Sequence, residues 1–131
     1  MSISIELSIG ELLDKVTILQ IKSERINDEA KLVNINKELN VLTTLWEKSP
    51  YSKVDLEENI QALKDVNEAL WDIEDKIRDK ERDQSFDQEF VELARSVYFT
   101  NDKRADIKKA INTKTGSELV EEKSYSDYSA N

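Results

Sequence analysis

Along this chain the apolar residues come in helical steps. Leu12, Val16, Leu19, Ser23 and Ile26 alternate intervals of four and three residues, which predicts a helix over 9–26. Leu32, Ile35, Leu39, Leu42 and Trp46 repeat the spacing over 29–47 without continuing the first phase. The slip falls at Asn27-Asp28, two good N-capping residues, so a kink or break is expected there. After a loop around the only proline, "SPYSKVD", the stripe Ile60, Leu63, Val66, Leu70, Ile73, Ile77 predicts a helix over 56–83. Phe90, Leu93, Ala94 and Val97 open a fourth over 87–114, which Lys114-Thr115-Gly116 ends with a cation and a C′ glycine. Ser8 with Glu11, Asp55 with Glu58 and Ser85 with Gln88 have the spacing of capping boxes at three of the four starts.

The ends read differently. "SISIEL" alternates Ile3, Ile5 and Leu7 against small or polar residues, as a short strand does, and "ELVEEKSY" near residue 121 has a strand-like stretch. A lone strand is not stable in water, so these two are expected to pair with each other or with a symmetry mate. The fold class is therefore all-α: antiparallel helical hairpins forming a three- to four-helix bundle, with short terminal β-strands. One domain spans 1–131, made of a strand at 1–7, a helical core at 8–116, and a docking segment with a polar tail at 117–131.

The fourth stripe poses a chemical question. After Val97 the same face meets Asn101, Arg104 and Lys108 before Ile111 returns. Residues 55–83 hold 11 acidic and 5 basic residues, net −6, while 95–114 hold 2 acidic and 6 basic, net +4. The short connection between them enforces an antiparallel hairpin in which paired positions sum to about 170. Arg95 then falls beside Glu74 and Asp75, Arg78 beside Glu92, Asn101 beside Leu70 and Trp71, and Arg104 near Val66 and Asn67. Lys108 is left opposite Ala62, without a partner. Two readings follow. A polar seam adds little stability but fixes register between helices. Alternatively, Arg95, Tyr98, Asn101, Arg104 and Lys108, with Asn67 and Glu74 opposite, hold an anionic ligand, because a guanidinium fork grips both oxygens of a phosphate or carboxylate. Trp46 and Trp71 stand at core spacing and read as packing residues.

Composition narrows the chemistry. At 15.2 kDa the chain has room for one modest core, and 36% charged residues suit long amphipathic helices. Two glycines and one proline argue against a multi-strand β fold. A net charge of −9 disfavours binding to a phosphate backbone, so no nucleic-acid partner is expected. There is no cysteine and no histidine, which removes disulfides, thiolate chemistry, the usual zinc sites and the commonest acid–base side chain. No signal peptide and no membrane-length apolar run is read, so a soluble, cytoplasmic protein with no membrane partner is expected. No catalytic residue, metal ligand or cofactor is assigned. A remote alternative is a magnesium-dependent all-α nucleotide pyrophosphohydrolase. Its E-E-x-x-E pattern is incomplete here, since Glu57-Glu58 is followed by Gln61, although Glu68, Asp72 and Asp75 share a helix face.

The segments "SIGELLDKVTILQIKSERI", "VNEALWDIEDKIRDKE", "ELARSVYFTNDKRADIKKAIN" and "GSELVEEKSY" together resemble a family of small bacterial and phage proteins catalogued only as a domain of unknown function. The match runs from about Ile5 to Tyr128. The resemblance implies a complete single-domain member and carries over no catalytic residues. It also implies a helix start at Asp28, because proline often follows that aspartate in the family and Glu29 occupies the proline's N1 place here.

Oligomerisation is expected from length. A straight helix over 9–47 would run about 58 Å against about 42 Å for 56–83, leaving the first segment overhanging. The overhang carries Ile9, Leu12, Leu13, Val16, Ile18 and Leu19 on more than one face, and a second copy packed about a two-fold axis would cover them. A break at Asn27-Asp28 that folds the segment back is the monomeric alternative. The expected function is thus a non-catalytic assembly or adaptor module acting through helix–helix contacts. Its partner is a second copy or an unidentified protein, and small-molecule binding or catalysis at the Arg95–Lys108 face is the competing reading.

Overall fold

A computed structural model describes residues 1–129, and the last two residues of the expected tail lie outside the described residues. Four helices follow one another: α1 (Ile9–Arg25), α2 (Glu29–Lys48), α3 (Glu57–Arg82) and α4 (Gln88–Thr115). A single 3-10 turn at Pro50–Lys53 links α2 to α3. The expected helix boundaries hold to within one residue. Ser8 Oγ accepts from the Glu11 N–H and Asp28 from the Lys31 N–H, so the first cap and the restart after the break have the local chemistry expected of them. Gly116 adopts φ 69°, the left-handed C′ conformation that glycine takes without strain.

Two caps differ. Asp87, and not Ser85, caps α4 by accepting from the Phe90 N–H. At α3 the N-cap position falls on Leu56, whose side chain has no hydrogen-bonding group and is packed to 2% exposure, while Asp55 just before it accepts from the Glu57 N–H at 3.4 Å. The terminal strands are absent among the described residues: 1–8 and 117–129 carry no regular structure, and Ile3 and Ile5 stand exposed. The ends nevertheless meet. The Ile9 N–H donates to Ser117 Oγ at 3.3 Å, and Leu7, Ile9, Ser117 and Leu119 line one hollow. With only a cap bond between them, neither segment needs a ladder.

The largest departure concerns α1. Ile9, Leu13, Val16 and Leu19 are buried and Leu12 is half-buried, all within one chain. The expected two-fold interface on Ile9, Leu12, Leu13, Val16 and Leu19 is therefore already occupied. The backbone turns extended at Ile26, and α2 folds back along one side of α1 while α3 and α4 cover the other. A helix apolar on several faces is thus the central one, enclosed by its own neighbours. Ile9, Leu13, Leu56, Leu63 and Ile111 form the core, with Trp46, Val54, Ile60 and Ile107 packed against it. The overhang passes to the other hairpin: α1 reaches only as far as Asp72, where Arg25 closes an ion pair at 2.6 Å. No helix of the described residues is long and apolar enough to cross a membrane.

The start of α1 is held by the end of α4. Gly10 N–H, one of the orphan donors of a helix N-terminus, donates to Asn112 Oδ1 at 2.7 Å. A Cβ at Gly10 would stand 2.6 Å from the Lys108 carbonyl oxygen and 3.0 Å from Asn112 Oδ1. Alanine normally stabilises a helix by about 1 kcal/mol over glycine, but overpacking against backbone costs about 1–3 kcal/mol. Gly10→Ala is accordingly expected to lower the unfolding free energy. A chemical-denaturation midpoint at or above the wild type's would show that the two helices can separate at no cost.

Candidate functional site

Where α1 crosses the α3–α4 hairpin, polar side chains replace the apolar layer. Asn67 of α3 is 5% exposed and donates from Nδ2 to Asp14 Oδ1 at 2.8 Å and to Thr17 Oγ1 at 3.1 Å. Thr17 in turn donates to the Asp14 carbonyl at 2.8 Å, so each member of the trio is bonded. Asn67 Oδ1 accepts from Arg104 Nη1 of α4 at 3.4 Å. This is the pairing that the antiparallel register required.

Lys108, one turn further along α4, is 7% exposed and has three carboxylates around its ammonium. Glu11 lies at 2.7 Å, Asp14 at 3.8 Å and Glu121 at 2.7 Å. The expectation that Lys108 lacks a partner is corrected here. Its partners come from α1 and the C-terminal segment, neither of which a two-helix register can place. Burial pulls the Lys108 ammonium down, but hydrogen bonds to Glu11 and Glu121 and the nearby Asp14 and Glu11 charges outweigh it and leave it above its ordinary value. The same contact holds the Glu121 carboxyl below the usual carboxylate range, its hydrogen bond to Lys108 being the main cause. No buried side-chain polar atom among the described residues lacks a partner.

Beside this centre lies an open groove of about 520 Å³. Four of the seven residues proposed from the sequence line it: Asn67, Glu74, Asn101 and Arg104, together with Trp71 and Arg78. The other three do not. Lys108 is sealed beneath. Arg95 is exposed and lies over the Phe99 ring, with its guanidinium carbon 5.6 Å from the centroid. Its expected partners Glu74 and Asp75 are not within ion-pair distance, and Glu74 instead binds Arg78 at 3.1 Å along α3. That contact also displaces the expected pairing of Arg78 with Glu92. Tyr98 packs on Phe99 and on Tyr128 of the C-terminal segment, with ring centroids at 4.9 and 5.4 Å, outside the groove.

The residues not anticipated are Glu11, Asp14, Thr17 and Glu121. For α1 a signal existed: Asp14 follows Leu13 and Thr17 follows Val16, each beside an apolar position of a helix whose apolar residues fall on more than one face. Glu121 left none, since its role depends on the path of an irregular segment. Of the carboxylates considered for a magnesium site, Glu68 and Asp72 both pair with Arg25, at 3.5 and 2.6 Å. No match to the chain is found among curated proteins or solved structures. A family model covers residues 3–130, nearly the whole of the sequence, and the chain belongs to the family of unknown function DUF6165.

Proposed function

We propose that this protein is a non-catalytic assembly module that pairs with a second copy through the distal half of its α3–α4 hairpin. One observation carries the reading. From residue 73 to residue 97 no residue is buried, although the stretch holds Ile73, Ile77, Phe90, Leu93 and Val97 at helical spacing. Beyond Asp72 the hairpin leaves α1 behind, and two helices alone cover each other on one side only. At its tip Phe86 and Val91 remain 54% and 44% exposed, with Phe86 edge-on to Phe90 at 5.1 Å. A two-fold contact would turn two such hairpins into a four-helix bundle, and each side chain would count twice in it.

The test uses the two exposed tip residues, whose replacement disturbs the hairpin least. Sedimentation equilibrium on the wild type is expected to give about twice 15.2 kDa. Phe86→Glu with Val91→Glu should raise the dissociation constant about a hundredfold or more, because charges would be buried without partners. A wild type at 15.2 kDa at the highest soluble concentration sinks the proposal. So does a dimer indifferent to both substitutions.

A further inference from the structure

The distal hairpin does not account for the groove, whose distinctive member is Arg104. Among the described residues six cations are half-buried or buried: Lys108 meets three carboxylates, Arg25 and Lys80 two each and Lys64 one, while Lys22 and Arg104 enter no ion pair, and of these two it is Arg104 that lines the groove. Arg104 is half-buried as well, and no described carboxylate lies within 4.0 Å of it. Its hydrogen bond to a described residue is the long one to Asn67 Oδ1, at 3.4 Å. Glu121 is already bonded to Lys108, at 2.7 Å. A guanidinium has five N–H donors in a rigid fork, and one hydrogen bond to a described residue leaves others for a ligand in the groove that Arg104 lines. With no carboxylate in ion-pair contact, Arg104 would gain charge-assisted hydrogen bonds from a ligand anion.

The surroundings fit such an anion. Asn67 cannot swing away to satisfy Arg104 better, because Asp14 and Thr17 hold its amide from the other side. The guanidinium is therefore positioned by a buried, fully bonded group. Asn101, one turn earlier on α4, adds a neutral amide to the same groove, and Ile18, Leu70 and Trp71 give it an apolar wall. Glu74 and Asp75, with Arg78 bonded to Glu74, make its distal end the more acidic one, which directs an anionic group toward Arg104. The volume lies within the range of small-molecule sites, roughly 300–1,000 Å³.

We infer that this groove binds a small organic oxyanion, a phosphate or carboxylate carried on a planar apolar body. The oxyanion would be forked by Arg104 with Asn101 beside it, and the planar body would lie along Trp71. The site is complete within one chain and does not depend on pairing of the hairpins.

Trp71 supplies the readout. In a Trp46→Phe background its fluorescence would be titrated with inorganic phosphate, nucleoside 5′-monophosphates and aryl carboxylates. Saturable change is expected with the monophosphates or the aryl carboxylates, and weaker or no change with inorganic phosphate, which lacks the planar body. Whichever of the two classes saturates identifies the source of the oxyanion. Arg104→Gln should weaken binding about tenfold or more, and Asn101→Ala by less. Arg104→Lys, which keeps the charge and the packing but loses the fork, should also weaken it, and it serves as the second variant if Arg104→Gln unfolds. The hairpin-tip double variant should bind as the wild type does, so failure of pairing and failure of the groove are separable. No saturation by any probe up to about 10 mM overturns the inference, as does wild-type affinity in both Arg104 variants.

Discussion

Lys108→Met is expected to destabilise the protein by about 3–5 kcal/mol, the usual result of removing one partner of a buried ion cluster. Methionine keeps most of the stem, so packing changes little while the charge disappears. Asp14, 4% exposed, then remains beside Glu11 and Glu121 with no ammonium among them. Lys109→Met, at the adjacent exposed position, is the control and should stay within about 0.5 kcal/mol of wild type. The pH dependence gives a second check with a definite sign. Glu121 has its folded value lowered, so its contribution is present above the ordinary 4.5 and is lost as pH falls through the depressed value. Lys108 has its folded value raised, so its contribution is complete below 10.5 and is lost as pH rises past the elevated value. On the acid side the wild type surrenders this contact, while the variant is relieved of surplus negative charge. The difference between them should therefore narrow below about pH 4.5. A Lys108→Met protein that loses under about 1 kcal/mol at neutral pH would show that the cluster is solvated in practice.

The sequence disclosed the helices and one register, and the reasons are local. Intervals of three and four residues, two capping aspartate and serine side chains and one C′ glycine act over a single turn each, so they can be read without knowing the fold. The α3–α4 register was legible because a short connection leaves few alternatives, and Asn67 does meet Arg104 as that register requires. What a linear pattern could not supply was the identity of the third body. Whether Lys108 faces solvent, α3 or α1 depends on where the chain turns at Ile26–Asp28 and how far α1 then runs. With α1 wrongly left to overhang, its apolar faces read as an interface and the cations of α4 read as unanswered. Placing α1 in the centre reverses both conclusions for Lys108 and leaves Arg104, whose partner on the hairpin is an amide and not a carboxylate.

That amide gives the last prediction. Asn67→Asp changes one NH₂ group to oxygen and almost no volume. It removes the donor that reaches Asp14 Oδ1 at 2.8 Å and Thr17 Oγ1 at 3.1 Å, and it sets two carboxylate oxygens against each other in a site 4–5% exposed. Arg104 offers partial compensation through the other oxygen. Its contact is long, 3.4 Å, and the side chain reaches solvent, so repulsion at the shorter distance wins. The expected loss is about 3 kcal/mol near pH 7. Two carboxylates in contact share a proton readily, which raises the pair's folded affinity for it above the unfolded value. The folded state then binds more protons than the unfolded one, so the variant's stability should rise as pH falls toward about 5. The shared proton restores the missing donor between the two side chains. Asn67→Leu also strips Asp14 of its partner but introduces no second carboxylate, so it should lack that shared-proton recovery. Thermal unfolding of both variants across this pH range decides the matter. An Asn67→Asp protein that is equally impaired at pH 5 and pH 7 would mean that its carboxylates are not in contact, and that Asn67 is held by packing instead of by Asp14.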